Sequence, residues 1–323
     1  MFPCTKRLSM YPIEYHDVWA LYKQQLASFW TAEEIDFGKD RDQWNTLLTE
    51  GERSFIKSIL AFFAGSDSVV SLNLMNNFCK EVDMMEAQVC YTFQAAMESI
   101  HSEVYSIMID TYIQDPDEKA NMFENLGGME CVQDKVAWAE KWSLGTQTVE
   151  SFPVRLVAFC IVEGLFFSGA FCAIYWIKQR NLLPGLTKSN EFIARDEGMH
   201  TQFACVLYRK LEAAQRLEQS VVHDMFADAL RIEKRFITES VPCGLIGMNA
   251  RLMTQYIEYV ADGLLTALGY DRLFNSTNPF AFMDLIGLNG RSNFFEERVS
   301  QYQKAGVLDA RKLDSESIFT EDF

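Results

Sequence analysis

Residues 94–106, QAAMESIHSEVYS, and 193–203, IARDEGMHTQF, each carry a Glu-x-x-His motif, as Glu98/His101 and Glu197/His200. An α-helix turns once every 3.6 residues, so each Glu and His share a face and can offer one oxygen and one nitrogen to a single ion. One such pair is usually a solvated helix face. Two pairs use half of the chain's four histidines, and each follows a long helix-forming stretch with one isolated acid in an apolar setting. Those acids are Asp67 in LAFFAGSDSVVSL, 31 residues before Glu98, and Glu163 in AFCIVEGLFFSG, 34 residues before Glu197. Two helical hairpins, each bringing one acid and one Glu-x-x-His to a common centre, would collect four carboxylates and two imidazoles, the donor set of di-iron and di-manganese bundles. Four negative groups in a dry core need two divalent cations to be tolerable, and oxygen with imidazole suits iron or manganese. Zinc would instead favour cysteine or one closed site. His16, beside Glu14 and Asp17, and His223, beside Asp224, read as surface residues.

The neighbours of these motifs point inward. Tyr105 lies four residues after His101 and seven after Glu98, almost two full turns, so it faces the same side. Phe167 and Phe171 follow Glu163 by four and eight, and Ile193 precedes Glu197 by four. All three are expected to wall the phenol with apolar groups and keep water away from it.

Helical spacing of apolar residues continues through most of the 323-residue chain, and alternating strand patterns with Asn-Gly or Asp-Gly hairpins are missing. The expectation is an all-α, ferritin-like bundle with helices near 50–80, 84–113, 150–180, 188–212, 217–238 and 246–268. Asp115-Pro116-Asp117, Gly127-Gly128, Ser151-Phe152-Pro153 and Leu183-Pro184-Gly185 serve as punctuation. A single domain over 1–300 is expected, followed by a charged tail, 301–323, with an apolar end at Ile318, Phe319 and Phe323. Apolar residues make up 49% of the chain, with 7 Pro and 17 Gly, which excludes a disordered or low-complexity chain. A net charge of −16 with no basic stripe argues against nucleic acid as a partner.

No signal-like apolar run follows the N-terminal basic residues, and the eight cysteines (Cys4, Cys79, Cys90, Cys131, Cys160, Cys172, Cys205, Cys243) are scattered without a C-x-x-C. Free thiols in a reducing cytoplasm are the expectation. The stretch Leu156 to Ile177 is long enough to span a bilayer, but Glu163 at its middle favours a helix buried within a bundle over a membrane span.

At the level of whole motifs, the chain resembles the class I ribonucleotide reductase small subunit in its eukaryotic and viral branch. The resemblance runs from Tyr11 to Val307 through YPIEYHDVW, SFWTAEEID, SDSVV, AMESIHSEVYS, VEGLFFSGAF, NEFIARDEGMH, IGMNARLM, QYIEYVADGLL and NFFEERVSQYQ. It implies a homodimer with two iron ions per chain in a μ-oxo-bridged site, manganese being the alternative, held by Asp67, Glu98, His101, Glu163, Glu197 and His200. It further implies that Tyr105 holds a stable tyrosyl radical. Asp196 would link His101 to Trp30, and Tyr302 would carry the oxidising equivalent to a catalytic large subunit that reduces ribonucleoside diphosphates. The C-terminal tail would dock that subunit.

Two features depart from the family pattern. The chain starts close to the first folded motif, as in viral or shortened forms, so regulation through a long N-terminal arm is expected to be absent. Its end, SIFTEDF, differs from the usual FTLDADF-like ending and is expected to suit a cognate large subunit. A ferroxidase or di-iron oxidase of the same fold would share the ligands but would need neither the caged tyrosine nor the Trp30–Asp196 relay. A metal-free helical interaction protein would need none of these features.

Overall fold

Helix α5, Met85–Tyr112, is the axis around which the rest is built. Its inward stripe runs through Cys90, Gln94, Met97, Glu98, His101, Val104, Tyr105, Met108 and Tyr112, the i, i+3, i+4 and i+7 pattern of a helix with one face in a core. In 28 residues it spans ~42 Å at 1.5 Å per residue. The computed structural model describes residues 7–74, 78–125, 130–143, 151–240 and 249–283, without the side chains of 67–73, 80, 123, 125, 143 and 240. Asp67 thus falls on a described helix with its side chain outside the described set, while Tyr302 and the tail 301–323 lie outside the described residues.

Among the described residues the structure is helical, with no strand. Helices α1 (His16–Ala27) and α2 (Gly38–Thr46) lead into α3 (Glu50–Asn73), then α4 (Cys79–Glu81) and α5. Helices α6 (Pro116–Asn125), α7 (Glu130–Ser143), α8 (Phe152–Ile161), α9 (Ser168–Gln179), α10 (Pro184–Lys210), α11 (Gln219–Ser240) and α12 (Ala250–Leu268) follow. α3 lies along α5 and α7, α10 along α8 and α9, and α11 along α7 and α12. Each of the six long stretches expected from periodicity is helical over most of its length, although residues 75–77 of the first and 246–248 of the last lie outside the described residues and the first ends as a long helix at Asn73. Two of them depart from expectation in ways that matter for the site.

The expected 150–180 helix is not continuous. A π-helical turn over Val162–Phe166 separates α8 from α9, and Glu163 stands within it. Such turns widen the helix by one residue and are frequent at functional sites. The combined stretch Phe152–Gln179 is apolar enough to cross a membrane by composition, yet 94% of its most apolar window is buried in the bundle. It is a core helix.

The second departure is the start of α10, at Pro184 rather than near 188. The buried Asp40 of α2 reaches across and accepts the backbone N–H groups of Gly185 and Leu186, each at 2.8 Å. These are first-turn donors that the helix itself cannot satisfy. Proline at the first position suits the same turn. Leu183 just before it adopts a left-handed φ of 49° and is held there by full burial and by donating its N–H to Gln43 Oε1. Tyr112 at the end of α5 donates its hydroxyl to Asp40 Oδ2 at 2.7 Å and stacks on Trp44, so one carboxylate ties three helices together.

Helix α7 was not anticipated, because its inward stripe, Cys131, Val132, Lys135, Trp138 and Ala139, has a lysine at its centre. The six described cysteines are all free thiols. His16 is exposed as expected, whereas His223 is half-buried with Nε2 3.0 Å from the Asp271 carbonyl.

Asp40→Ala leaves two helix N–H groups and a buried tyrosine hydroxyl without their acceptor, so a loss of about 2–4 kcal/mol is expected. Urea unfolding of the variant checks this, and a loss below ~1 kcal/mol would contradict the capping role.

Candidate metal centre

Three elements deliver the acids and imidazoles to one place. Helix α5 brings Glu98 and His101, the π-turn brings Glu163, and α10 brings Glu197 and His200; all five side chains are at most 2% exposed. One ligand atom each from Glu98, Glu163, Glu197 and His200 lies within 4.8 Å of the others. His200 Nδ1 is 3.0 Å from Glu98 Oε1, 3.2 Å from Glu197 Oε2 and 3.7 Å from Glu163 Oε2. His101 Nδ1 is 3.1 Å from Glu197 Oε1 and 3.3 Å from Glu98 Oε2. The two Glu-x-x-His motifs and Glu163 therefore converge. Asp67, on α3, has its side chain outside the described set.

The electrostatics of this cluster are those of a cation site. Burial, then repulsion from Glu197 and Glu98, holds the Glu163 carboxyl well above the usual carboxylate range. For the imidazoles burial opposes the charged form, but it is outweighed. Hydrogen bonds to Asp196, Glu197 and Glu98 lift His101, and the charge of Glu98 with the surrounding carboxylates lifts His200. Both oxygens of Glu98 and of Glu163, and Oε1 of Glu197, still lack a well-formed hydrogen bond. Two ring protons cannot satisfy three buried carboxylates, whereas divalent cations can, and both rings turn Nδ1 toward the same space. The donor set is oxygen-rich with two imidazoles, which fits iron or manganese.

A second ring of contacts holds the first. With Nδ1 turned to the carboxylates, His101 has Nε2 3.2 Å from Asp196 Oδ2, the usual way a metal-binding imidazole is oriented. The same oxygen accepts the indole N–H of Trp30 at 2.7 Å. The Trp30 ring is stacked on His101 with centroids 5.9 Å apart. Arg195 pairs with Asp196 Oδ1 at 3.1 Å and donates to the Ser28 carbonyl, two residues before Trp30, at 2.6 Å. Arg195 was missed by the sequence reading, although its place next to Asp196 was a usable signal.

Tyr105 is buried on α5 and shares a cleft with Phe63, Phe171 and Ile193. Phe63 stacks on Tyr105 with centroids 4.8 Å apart. Phe167 stands behind it, meeting Phe63 edge-on at 5.5 Å. Phe63 was also missed, yet it precedes Asp67 by four, as Ile193 precedes Glu197 by four.

Comparison with known proteins agrees with this arrangement. Residues 7–279 match the family model for the ribonucleotide reductase small chain. The chain belongs to that family. It is 52% identical over 316 residues to the ribonucleoside-diphosphate reductase small chain of Trypanosoma brucei brucei, covering 98% of this chain and 92% of the relative. It is 51% identical over 310 residues to that of Yaba-like disease virus, covering 96% and 94%. Among solved structures, the Saccharomyces cerevisiae ribonucleotide reductase Rnr4 homodimer superposes with a TM-score of 0.78 at 36% identity, covering 93% of this chain and 91% of that one. The R2 subunit from Clostridium botulinum has the same fold, with a TM-score of 0.77 at 22% identity, over 84% of this chain and 88% of that one. This small chain is thus all-α and ferritin-like.

A ligand at 100 times its dissociation constant stabilises the fold that binds it by about 2.7 kcal/mol, so Co(II) should raise the Tm of the wild-type chain by roughly 5 °C. His200→Ala and Glu98→Gln are each expected to cut that rise by more than half in a thermal melt. An undiminished rise in both variants would remove this cluster as the metal site.

Proposed function

We propose that this chain is the radical-generating subunit of a ribonucleoside-diphosphate reductase. The observation that carries the reading is the hydrogen-bonded run from Trp30 through Asp196 to His101, ending on a buried carboxylate–imidazole cluster. A storage or ferroxidase centre has no use for an indole wired to one of its ligands.

In this reading Asp67, Glu98, Glu163, Glu197, His101 and His200 hold two iron ions, with manganese as the alternative. When bound, the ions supply dioxygen activation and one-electron oxidising power. Tyr105 would be the phenol oxidised, its electron and proton passing to the oxidant that the bound ions supply, and would store the radical, while Phe63, Phe171 and Ile193 exclude water and reductants from it. Asp196 holds the Nε2–H of His101 and the indole N–H of Trp30 on one oxygen, so a proton can shift along the run as an electron passes. Arg195 holds Asp196 in orientation through its Oδ1. Tyr302 hands the oxidising equivalent to the large subunit, which binds the nucleotide. The tail, 301–323, docks that subunit through its acidic, aromatic end. The subunit acts as a homodimer, like the Saccharomyces cerevisiae Rnr4 protein whose structure it resembles. A cytoplasmic location is consistent with its free thiols.

Electron paramagnetic resonance after Fe(II) and oxygen should show a tyrosyl signal in the wild-type chain and none in Tyr105→Phe. A signal that persists in the variant would refute the assignment. Trp30→Phe and Asp196→Asn should keep the radical and lose at least about 100-fold in nucleotide reduction with the large subunit, since a broken relay removes a required step. Deleting 317–323 should abolish reduction with the radical intact, and a radical lost in that truncation would contradict docking.

A further inference from the structure

Lys135 and Glu233 form an ion pair with no exposed surface, on α7 and α11, helices that carry none of the five clustered side chains or the relay residues. Lys135 Nζ lies 2.7 Å from Glu233 Oε2 and donates to the Phe166 carbonyl at 2.6 Å. The rings of Phe62 and Phe236 flank it, with centroids 3.4 and 4.0 Å from Nζ. The Glu233 carboxylate in turn faces the backbone N–H of Gly169, and a Cβ at Gly169 would meet Glu233 Oε1 at 2.6 Å. The pair therefore meets both sides of the junction where the π-turn ends and α9 begins, Lys135 by a hydrogen bond and Glu233 by close approach to Gly169. Ser168 Oγ takes the adjoining Leu165 carbonyl at 2.7 Å, so two successive carbonyls at the end of the turn are held by side chains.

We infer that the Lys135–Glu233 pair is a positioning device for Glu163: it locks the π-turn in the register that presents this carboxylate to the metal site. The inference rests on reading Glu163 as a metal ligand. Stability alone gives little reason for such a pair, because apolar residues of similar volume commonly replace a buried ion pair without loss. An apolar side chain could fill the space between Phe62 and Phe236, but it could not bond the Phe166 carbonyl, three residues from Glu163 and within the same turn. Burial pushes the Lys135 ammonium down to about 8, with Glu233 pulling against it, so it remains charged and donating at neutral pH. Supporting contacts of this kind commonly change metal affinity by about 10- to 100-fold when removed.

The test is anaerobic Co(II) titration of the full metal-free chain, followed by calorimetry and by the visible absorption bands, which report coordination. Lys135→Met is expected to weaken Co(II) binding at least about tenfold and to shift the bands. Should that variant not fold, the doubly apolar Lys135→Met/Glu233→Met chain carries the test: it is expected to recover Tm without recovering affinity. Asp262→Ala is the control for general destabilisation. Asp262 accepts the backbone N–H groups of Leu273, Phe274 and Ser276, in the segment that follows α12, at 2.9 Å, so its loss should lower Tm and leave Co(II) affinity unchanged. Affinity within twofold of wild type in the foldable Lys135 variant, with unchanged bands, would overturn the inference and leave the metal centre standing. A wild-type chain that takes up no Co(II) would instead remove the metal-centre reading itself.

Discussion

Three carboxylates and two imidazoles share a space from which water is excluded, and much of the molecule answers to that constraint. Ionised carboxylates in an apolar interior cost many kcal/mol unless opposite charge meets them. The imidazoles meet part of the demand, as their upward shift shows. Divalent cations would meet the remainder. Around this centre two further buried acids have fixed partners: Asp196 between Trp30, His101 and Arg195, and Glu233 against Lys135.

Precision at such a site comes from the helices that carry it. Each of the three contributing elements is pinned by something outside itself. α5 is tied at its end through Tyr112 to Asp40, α10 is started by the same Asp40, and the π-turn is gripped by Lys135. The two cross-ties are buried charges on helices that contribute no ligand. Directional bonds to backbone groups set helix register in a way that packing of apolar side chains alone does not.

Much of the centre was legible in the chain. The two Glu-x-x-His pairs and the isolated Glu163 are recognisable because helix geometry relates residues three and four apart, and because acids stand out in apolar stretches. The same rule would have found Phe63, which was overlooked beside Phe62. Arg195 was hidden by its ordinariness, since an arginine on a helix reads as a solvated face until its partners are known. α7 escaped notice because Lys135 interrupts its apolar stripe, and that interruption is the feature that gives the helix its role.

The sequence by itself determined the helical class, the inward faces of α5 and α10, and the chemical identity of the donor set, because those follow from local periodicity and residue type. Only the tertiary structure decided that Asp40 would start a helix 145 positions away, that Trp30 would meet Asp196 across 166 positions, and that a lysine would close the π-turn beneath Glu163. Contacts within a helix are set by a fixed rise and turn. Contacts between helices depend on how whole faces pack, and no spacing rule in the chain encodes that.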